Sequence, residues 1–337
     1  TPPPPRPTPV TPRRQRQMCI RDSYLSDELT LHYGMVPRTN RGIFAMNELP
    51  DLAERIQVGL LNVLEERDVQ IRGYKIRLPL DVMLMASANP EDYTNRGRII
   101  TPLKDRFGSQ IRTHYPLDVQ TEIDIMQQEA ASLDVDTPTG RITVTVPDYL
   151  TEVVATFSHL ARASNQVNQR SGVSVRLSVS NFEAMAANAL RRGLRSGENS
   201  PVARVDDLGA MAASSMGKIE IESIEEGRDG AIMENLVKGA LRMVFRDTVP
   251  PEQTRGVVDA FEEGAVAHTG ESMSSAELAA VVEQVDAMRA PVAVLTGGDE
   301  SPAAVAAAVE FILEGLHLSK RLNKDASGES ATYRGRT

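Results

Sequence analysis

Two short apolar runs that end in polar residues constrain the fold of this chain more than any other feature. Ile43–Met46 leads directly into Asn47 and Glu48, and Val82–Ala88 leads into Asn89. Apolar runs of this length without alternation are typical of strands in a parallel sheet that is covered on both faces. A helical pattern separates the two runs. The sequence therefore predicts two buried strands of a parallel sheet, each of which ends in polar side chains.

The rest of the chain divides into a strand-bearing part and a helical part. Val69–Leu78 alternates around a break at Gly73 and Tyr74, which predicts a β-hairpin. Gln110–Tyr115 predicts a short third strand, and no strand is expected after Asp118. Apolar residues at helical spacing cover residues 52–66, 118–132, 147–163, 179–193, 205–217, 229–246, 251–263, 275–288 and 302–319, with linkers at 134–140, 197–201 and 297–301. This order predicts an α/β core followed by helical domains.

The composition excludes several classes of function. A net charge of -9 argues against a general nucleic-acid binder. Cys19 is the only cysteine, which excludes an internal disulfide framework and a cysteine-based zinc cluster. The five histidines lack the H-E-x-x-H spacing of a metalloprotease. No apolar run approaches the roughly 20 residues that cross a bilayer, and no secretory signal pattern is present, so the expected compartment is the cytoplasm, with no membrane partner.

Residues 1–23 differ in kind from the rest of the chain. They contain seven of the 20 prolines and five arginines, but Asp22 is their single acidic residue. Such a stretch predicts a disordered arm that is partly polyproline II, either an unstructured terminus or an interaction tail. Within it, RQRQMCIRDS resembles a translated sequencing adapter. On that interpretation the segment is foreign, and the native sequence begins near Tyr24.

Further motifs follow the first apolar run in a fixed order. After Glu48 the chain shows LPDL, a helix, the hairpin, a strand, SANPED and LKDRFG. This series, over residues 42–108, resembles the AAA+ ATPases of the MoxR and magnesium-chelatase class. The resemblance implies a partial AAA+ parallel sheet in which the two apolar strands are neighbours, so that Glu48 and Asn89 lie at adjacent tips. It also implies Asn89 as sensor 1 and Arg106 as an arginine finger that reaches a neighbouring subunit. Taken alone, Asn89 could simply end its strand, and Arg106 could pair with Asp105 on the surface.

The same resemblance assigns roles at the tip of the Walker B strand. Asn47 would hold a magnesium-bound water, and Glu48 would orient or activate the water that attacks the γ-phosphate. ATP and Mg²⁺ are thus the implied cofactors, and the amide of Asn89 would bond both the γ-phosphate and the attacking water. The family has aspartate where Asn47 stands. An amide still accepts a hydrogen bond from a magnesium-bound water, but it brings no negative charge.

The helical part also carries a resemblance. SGVSVRLSVSNFEAMAANALRRG resembles the lid helix that carries sensor 2, with Arg176 as the residue that contacts the γ-phosphate and Arg170, Arg191 and Arg192 as competitors. The class implies a ring, hexameric for the full-length protein, a partner with a von Willebrand A-type domain and a protein client that the sequence does not identify. The predicted divisions are a disordered or foreign segment 1–23, the C-terminal half of the AAA+ core 24–117, an all-α lid 118–222, a helical region 223–325 and a disordered tail 326–337.

The phosphate-binding loop is missing from the sequence. The pattern G-x-x-x-x-G-K-[ST] occurs nowhere, and the one Gly-Lys pair, Gly217 and Lys218, is followed by Ile219. In the family this loop precedes the Walker B strand by many tens of residues. The sequence therefore predicts a truncated gene product that keeps the hydrolysis side of the site and is inactive alone.

Two other functions stay open. Asn47 and the missing loop also suit a non-catalytic regulatory or assembly module with a degenerate nucleotide site. A sigma-54-type transcriptional activator is the second alternative, although VQIRGYKIRLP stands where those ATPases carry G-A-F-T-G-A. For the apolar helix at 302–319, the sequence predicts a packing element, with a partner-docking surface as the alternative.

Overall fold

The computed structural model describes residues 33–70, 77–89, 98–138, 140–168, 171–221, 229–328 and 330–336. The chain divides into two units, residues 1–112 and 113–337, and each is described by itself. Residues 1–23, predicted as a disordered or foreign arm, lie outside the described residues. The hairpin tip at 71–76 and Arg170 also lie outside them.

The first unit is built around two parallel strands and one long helix. Its elements are α1 (Met35–Arg38), β1 (Gly42–Met46), α2 (Glu54–Glu65), β2 (Asp68–Gln70), β3 (Arg77–Pro79), β4 (Val82–Ala86) and α3 (Thr101–Lys104). β1 pairs with β4 in parallel, which confirms the predicted neighbours. β2 pairs with β3 in antiparallel fashion, which confirms the predicted hairpin at its two strands.

The prediction that these parallel strands are buried is wrong for this structure. Ile43 on β1 is 59% exposed, and Met83 on β4 is 61% exposed. The described sheet has only two strands, and a sheet of that width buries little surface on either face. The core of this unit lies instead under α2, where Leu49, Leu60 and Leu103 form a buried cluster.

The predicted third strand is also wrong. Residues 110–115 form no strand, and Ile111 is 87% exposed. An extended segment becomes a strand only when a neighbour supplies hydrogen-bond partners along it. Among the described residues this segment has no paired neighbour. Local β propensity at 110–115 was therefore insufficient evidence for a strand.

The second unit is mainly helical. Its elements are α4 (Val119–Glu129), β5 (Asp134–Thr137), β6 (Gly140–Thr143), α5 (Asp148–Ala163), α6 (Val175–Ser196), α7 (Met211–Ser215), α8 (Asp229–Thr248), α9 (Pro251–Glu262), β7 (Val266–Gly270), α10 (Ser275–Ala279), α11 (Val281–Gln284), α12 (Arg289–Thr296), α13 (Pro302–Leu318), β8 (Asn323–Ser327) and β9 (Ser330–Arg334). All eight helices predicted after Asp118 are found at their positions, two of them broken into shorter segments. α6 begins earlier than predicted because Ser174 caps it by accepting a hydrogen bond from the Arg176 N–H.

The expectation of no strands after Asp118, and hence of an all-α lid, is wrong. β5 and β6 form a hairpin inside the predicted linker 134–140 and just beyond it. β7, β9 and β8 form a three-stranded sheet, and the tail predicted to be disordered from residue 326 supplies most of its last hairpin. β9 pairs with β7, which lies more than 60 residues earlier in the chain. Helical periodicity carries no information about a pairing at that separation.

α13 is the centre of the second unit. Eleven consecutive residues, Ala306–Leu316, are buried, as expected for a helix that is apolar on all sides. The alternative that this helix is a docking surface is therefore wrong. One hydrophobic core joins Phe157 and Leu177, from the predicted lid, with Phe245 and Phe311, from the predicted C-terminal region. The two predicted helical divisions thus share a single core.

The close packing of α13 leads to a first prediction. A Cβ added at Gly315 would lie 2.2 Å from two ring atoms of Phe245, a buried residue of α8. That ring already makes an edge contact with Phe311, with centroids 5.8 Å apart, so it has little room to shift. We expect Gly315→Ala to destabilise the second unit by about 3 kcal/mol through overpacking. Thermal unfolding followed by circular dichroism should show a midpoint lowered by roughly 6–12 °C.

Gly239→Ala is the matched control. Gly239 also lies within a helix, but a Cβ there would meet only the Leu160 Cδ1 atom at 3.4 Å, an ordinary contact. Replacing a helical glycine by alanine normally stabilises a protein by about 0.5–1 kcal/mol. The prediction fails if Gly315→Ala melts at the same temperature as Gly239→Ala.

Candidate functional site

The polar residues after β1 and β4 lie at the same edge of the sheet. Met46 and Ala86 are the last paired residues of the two parallel strands. Asn47 and Glu48 follow the first strand, and Asn89 follows the second by three residues. The structure therefore places the predicted Walker B pair and the predicted sensor-1 residue after the tips of adjacent strands.

Ser87 connects the two strand tips by hydrogen bonds. Its hydroxyl donates a hydrogen bond to Asn47 Oδ1 and accepts one of 3.2 Å from the Glu48 N–H. Its backbone continues the ladder beyond the strands, with the Ser87 N–H 2.9 Å from Met46 O and the Leu49 N–H 2.9 Å from Ser87 O. Sequence reasoning missed Ser87, because only the strand register shows that it faces Asn47.

Glu48 has an unusual backbone. Its φ of 52° and ψ of 54° lie in the left-handed region, which non-glycine residues seldom adopt. The next residues form a 3₁₀ turn, Leu49–Asp51, in which Leu49 and Pro50 are buried. This turn directs the chain away from β1 and leaves the Glu48 carboxylate exposed at the strand tip. Such backbone strain tends to concentrate at functional sites.

Arg106, the predicted arginine finger, forms an ion pair with Glu65 through one of its nitrogens. Its Nη2 atom lies 2.8 Å and 2.9 Å from the two carboxylate oxygens of Glu65, at the end of α2. The guanidinium side chain remains 34% exposed. The surface ion pair considered from the sequence therefore exists, but its partner is Glu65 rather than the adjacent Asp105.

Gln57 fixes the segment that leads to Arg106. Its side chain is 2% exposed, donates to Leu52 O at 2.9 Å and Arg98 O at 3.2 Å, and accepts from the Ile100 N–H at 3.0 Å. α2 thus holds residues 98–106 near both of its ends. A signal for Gln57 exists in the sequence, since it is a polar residue on the apolar face of a predicted helix.

Comparisons with known proteins find similarities over part of the chain. The family model described as the Sigma-54 interaction domain matches residues 25–106. The magnesium-chelatase 38 kDa subunit of Cereibacter sphaeroides is 33% identical over 100 residues, which cover 29% of this chain and 29% of that protein. The subunit of the same name from Rhodobacter capsulatus is 33% identical over 97 residues, covering 28% and 27%. These matches support a similarity to AAA+ ATPases of the magnesium-chelatase type. The chain spans about three tenths of the length of these relatives.

The second unit carries the predicted sensor-2 arginine. Arg176 lies in the first turn of α6 and is exposed. Its competitors on the same helix are engaged elsewhere: Arg191 pairs with Glu271, and Arg192 is buried against Asp207. Of these three arginines, Arg176 is the one that forms no ion pair within the described residues. Its role as sensor 2 stays a prediction.

A buried polar network fixes the backbone just before Arg176. Glu122 is completely buried and pairs with both terminal nitrogens of Arg162. The Nε of Arg162 donates to Val173 O at 3.0 Å, while the Val173 N–H donates to the Tyr115 hydroxyl at 3.2 Å. The adjacent Gly172 has a φ of +71°, and a Cβ there would lie 2.4 Å from that hydroxyl. The network therefore sets where α6 begins.

In the described parts of the chain, no three His, Cys, Asp or Glu side chains converge as a metal site. The helices of those parts are too short or too polar to cross a bilayer.

Proposed function

We propose that this chain is part of an ATPase that hydrolyses ATP within a ring and uses the energy to remodel a protein client or to insert a metal ion into one. The observation that carries the proposal is the placement of Glu48 and Asn89 after the tips of adjacent parallel strands. At such an edge, one side chain can act on the attacking water while the other bonds the γ-phosphate. The relatives named magnesium-chelatase subunits support the metal-insertion form.

Glu48 is the residue proposed to orient or activate the attacking water. Its carboxylate is exposed at the tip, and the left-handed backbone holds it clear of the sheet. Asn89 would donate its amide N–H to a γ-phosphate oxygen without repelling the phosphate. Arg106 would stabilise the transferring phosphoryl group of a neighbouring subunit. Its Nη2 atom now contacts Glu65, and its planar guanidinium fork matches phosphate oxygens.

The residues present fit a magnesium ion bound together with ATP. Mg²⁺ usually keeps several waters and binds through one or two carboxylates plus the phosphates of the nucleotide. Asn47 offers an amide oxygen and Glu48 a carboxylate at the same strand tip. The bound ion would neutralise charge on the phosphates, and Asn47 would hold one of its waters. We further propose that Arg176 contacts the γ-phosphate from the lid.

Because the sequence contains no G-x-x-x-x-G-K-[ST] pattern, we propose that this chain alone is inactive. The test compares this chain with the complete product of its gene, measuring ATP binding and phosphate release. We expect the complete product to hydrolyse ATP in a Mg²⁺-dependent way and to assemble into a ring, hexameric in the simplest case. A protein with a von Willebrand A-type domain is the proposed partner to add.

The decisive variant is Glu48→Gln. It keeps the shape of the side chain but removes its ability to activate water, so hydrolysis should fall by about 100-fold while ATP binding persists. Glu66→Gln, an exposed carboxylate at the end of α2, is the control and should hydrolyse ATP normally. Normal turnover by Glu48→Gln would refute the assigned role.

Two other functions have support. Asn47 in place of aspartate favours a non-catalytic module, and a complete gene product that binds no ATP would establish that alternative. The match to the Sigma-54 interaction domain favours a transcriptional activator. Stimulation of open-complex formation by sigma-54 polymerase would show that activity directly. The absence of G-A-F-T-G-A from the sequence argues against it.

A further inference from the structure

We propose that Ser87 is the positioning residue that couples the γ-phosphate contact at Asn89 to the water-activating residue Glu48. This inference rests on the proposed function and extends it to a residue with no assigned role. Ser87 contacts neither ATP nor water in the proposal. It acts by fixing the side chain of Asn47 and the backbone of Glu48, which belong to the neighbouring strand.

The hydrogen bonds of the hydroxyl define its role. A serine hydroxyl has one proton to donate and two lone pairs that accept. The Glu48 N–H can only donate, so Ser87 Oγ accepts there, at 3.2 Å. The proton of the hydroxyl is then free to be donated to Asn47 Oδ1. One hydroxyl therefore fixes both members of the Walker B pair.

The backbone of Ser87 also forms hydrogen bonds on both sides of Glu48. The Leu49 N–H donates to Ser87 O at 2.9 Å, and the Ser87 N–H donates to Met46 O at 2.9 Å. These two bonds bracket Glu48 in the left-handed conformation that residues with a side chain avoid. Without the hydroxyl, the Glu48 N–H would lose its partner, and the turn could relax towards a commoner backbone geometry.

The hydroxyl also explains how asparagine can stand at position 47. Because Ser87 holds Oδ1, the amide cannot rotate freely, and the second lone pair of Oδ1 keeps a fixed direction for a magnesium-bound water. An aspartate would add a second negative charge next to Glu48. The neutral amide, fixed by a hydroxyl, supplies an acceptor without that repulsion.

Ser87 lies two residues before Asn89 on the same strand end. A shift of Asn89 on binding the γ-phosphate would therefore move Ser87 and, through its hydrogen bonds, the Glu48 backbone. In this way the strand that contacts the phosphate would adjust the residue that acts on water. Strand tips without such a tie would respond independently.

The first arm of the test uses this chain without nucleotide. Amide hydrogen exchange, resolved by NMR, is compared for the wild type and for Ser87→Ala, Ser87→Thr and the control Ser109→Ala, which removes an exposed hydroxyl elsewhere in the first unit. Loss of one hydrogen bond should speed exchange of the Glu48 amide by roughly three- to tenfold in Ser87→Ala. Ser87→Thr, which keeps the hydroxyl, and Ser109→Ala should resemble the wild type.

The second arm uses the complete gene product and steady-state ATP hydrolysis. A positioning role predicts that Ser87→Ala lowers kcat by about 10- to 100-fold and leaves KM for ATP within about twofold. Ser87→Thr should restore kcat. If the role of Ser87 were only structural, Ser87→Ala would lower the amount of folded protein but leave kcat per folded site unchanged. Ser87→Thr would then have no loss of kcat to restore.

The outcomes separate the inference from the proposed function. Unchanged exchange at Glu48 in Ser87→Ala overturns the inference, as does an equal loss of kcat in Ser87→Ala and Ser87→Thr. If the wild-type complete product hydrolyses no ATP although Ser87→Ala speeds exchange, the proposed function is overturned, and the catalytic role of Ser87 falls with it. Faster exchange together with a rescued loss of kcat supports both.

Discussion

The Arg106→Ala variant of the complete gene product is expected to hydrolyse ATP at least about a thousandfold more slowly than the wild type. Arginine fingers contribute 10³- to 10⁵-fold to related phosphoryl transfers by stabilising the charge of the transferring group. Nucleotide binding should change little, because the finger is proposed to act on the site of a neighbouring subunit. Phosphate release and the affinity for a fluorescent ATP analogue would be measured side by side.

Glu65→Ala is the matched control for Arg106→Ala. In the structure each variant removes the same ion pair, with contacts of 2.8 Å and 2.9 Å, but only one of them removes the guanidinium. An exposed pair of this kind contributes at most about 1 kcal/mol to stability. If Arg106 serves only as the partner of Glu65, the two variants will behave alike. The proposed role requires Glu65→Ala to keep at least wild-type turnover.

The second unit is expected to lose stability as the pH rises from 5 to 9. Glu310 lies on α13 with a 3% exposed side chain, and its Oε1 atom has no hydrogen-bond partner. Burial, together with the nearby charge of Asp206, raises the pKa of Glu310 to about 8, although Arg204 opposes the shift. The nearest guanidinium nitrogen of Arg204 is 3.8 Å from Oε1.

The direction of this pH dependence follows from the numbers of protons that the folded and unfolded states bind. Between the ordinary glutamate pKa of 4.5 and the folded value of about 8, the folded protein binds one more proton than the unfolded chain. The stabilisation that protonated Glu310 contributes is therefore fully present below pH 4.5, and it is lost as the pH rises towards about 8. A shift of this size corresponds to roughly 4–5 kcal/mol. Burial also raises the pKa of Asp206, which acts in the same direction.

Glu310→Gln tests this prediction. The amide is neutral at every pH, so the variant should lose most of the pH dependence and exceed the wild type in stability above pH 8. Urea unfolding followed by circular dichroism at several pH values gives the free energies, and the chain contains no tryptophan for a fluorescence signal. Glu283→Gln, an exposed carboxylate in the same unit, should keep the wild-type slope. Equal slopes for Glu310→Gln and wild type would contradict the prediction.

Much of the fold follows from local patterns in the sequence. α5, α9 and α13 begin and end within one residue of the predicted bounds, because helical periodicity and end signals act over a few residues. Strands β1 and β4 were predicted from two apolar runs, and their pairing as neighbours from the resemblance to AAA+ ATPases. Their predicted burial was wrong, because burial depends on what covers the strands. The tail strand β9 was missed because its partner β7 is distant in the chain.

In the candidate site, too, some features follow from local sequence and others from tertiary contacts. The sequence by itself determined that Glu48 and Asn89 follow apolar strands, because a strand and its end are written in consecutive residues. Only the tertiary structure decided that Ser87 faces Asn47 and that Glu65 pairs with Arg106. These contacts join residues 40 and 41 positions apart. Such contacts depend on strand register and helix packing, which no short stretch of sequence specifies.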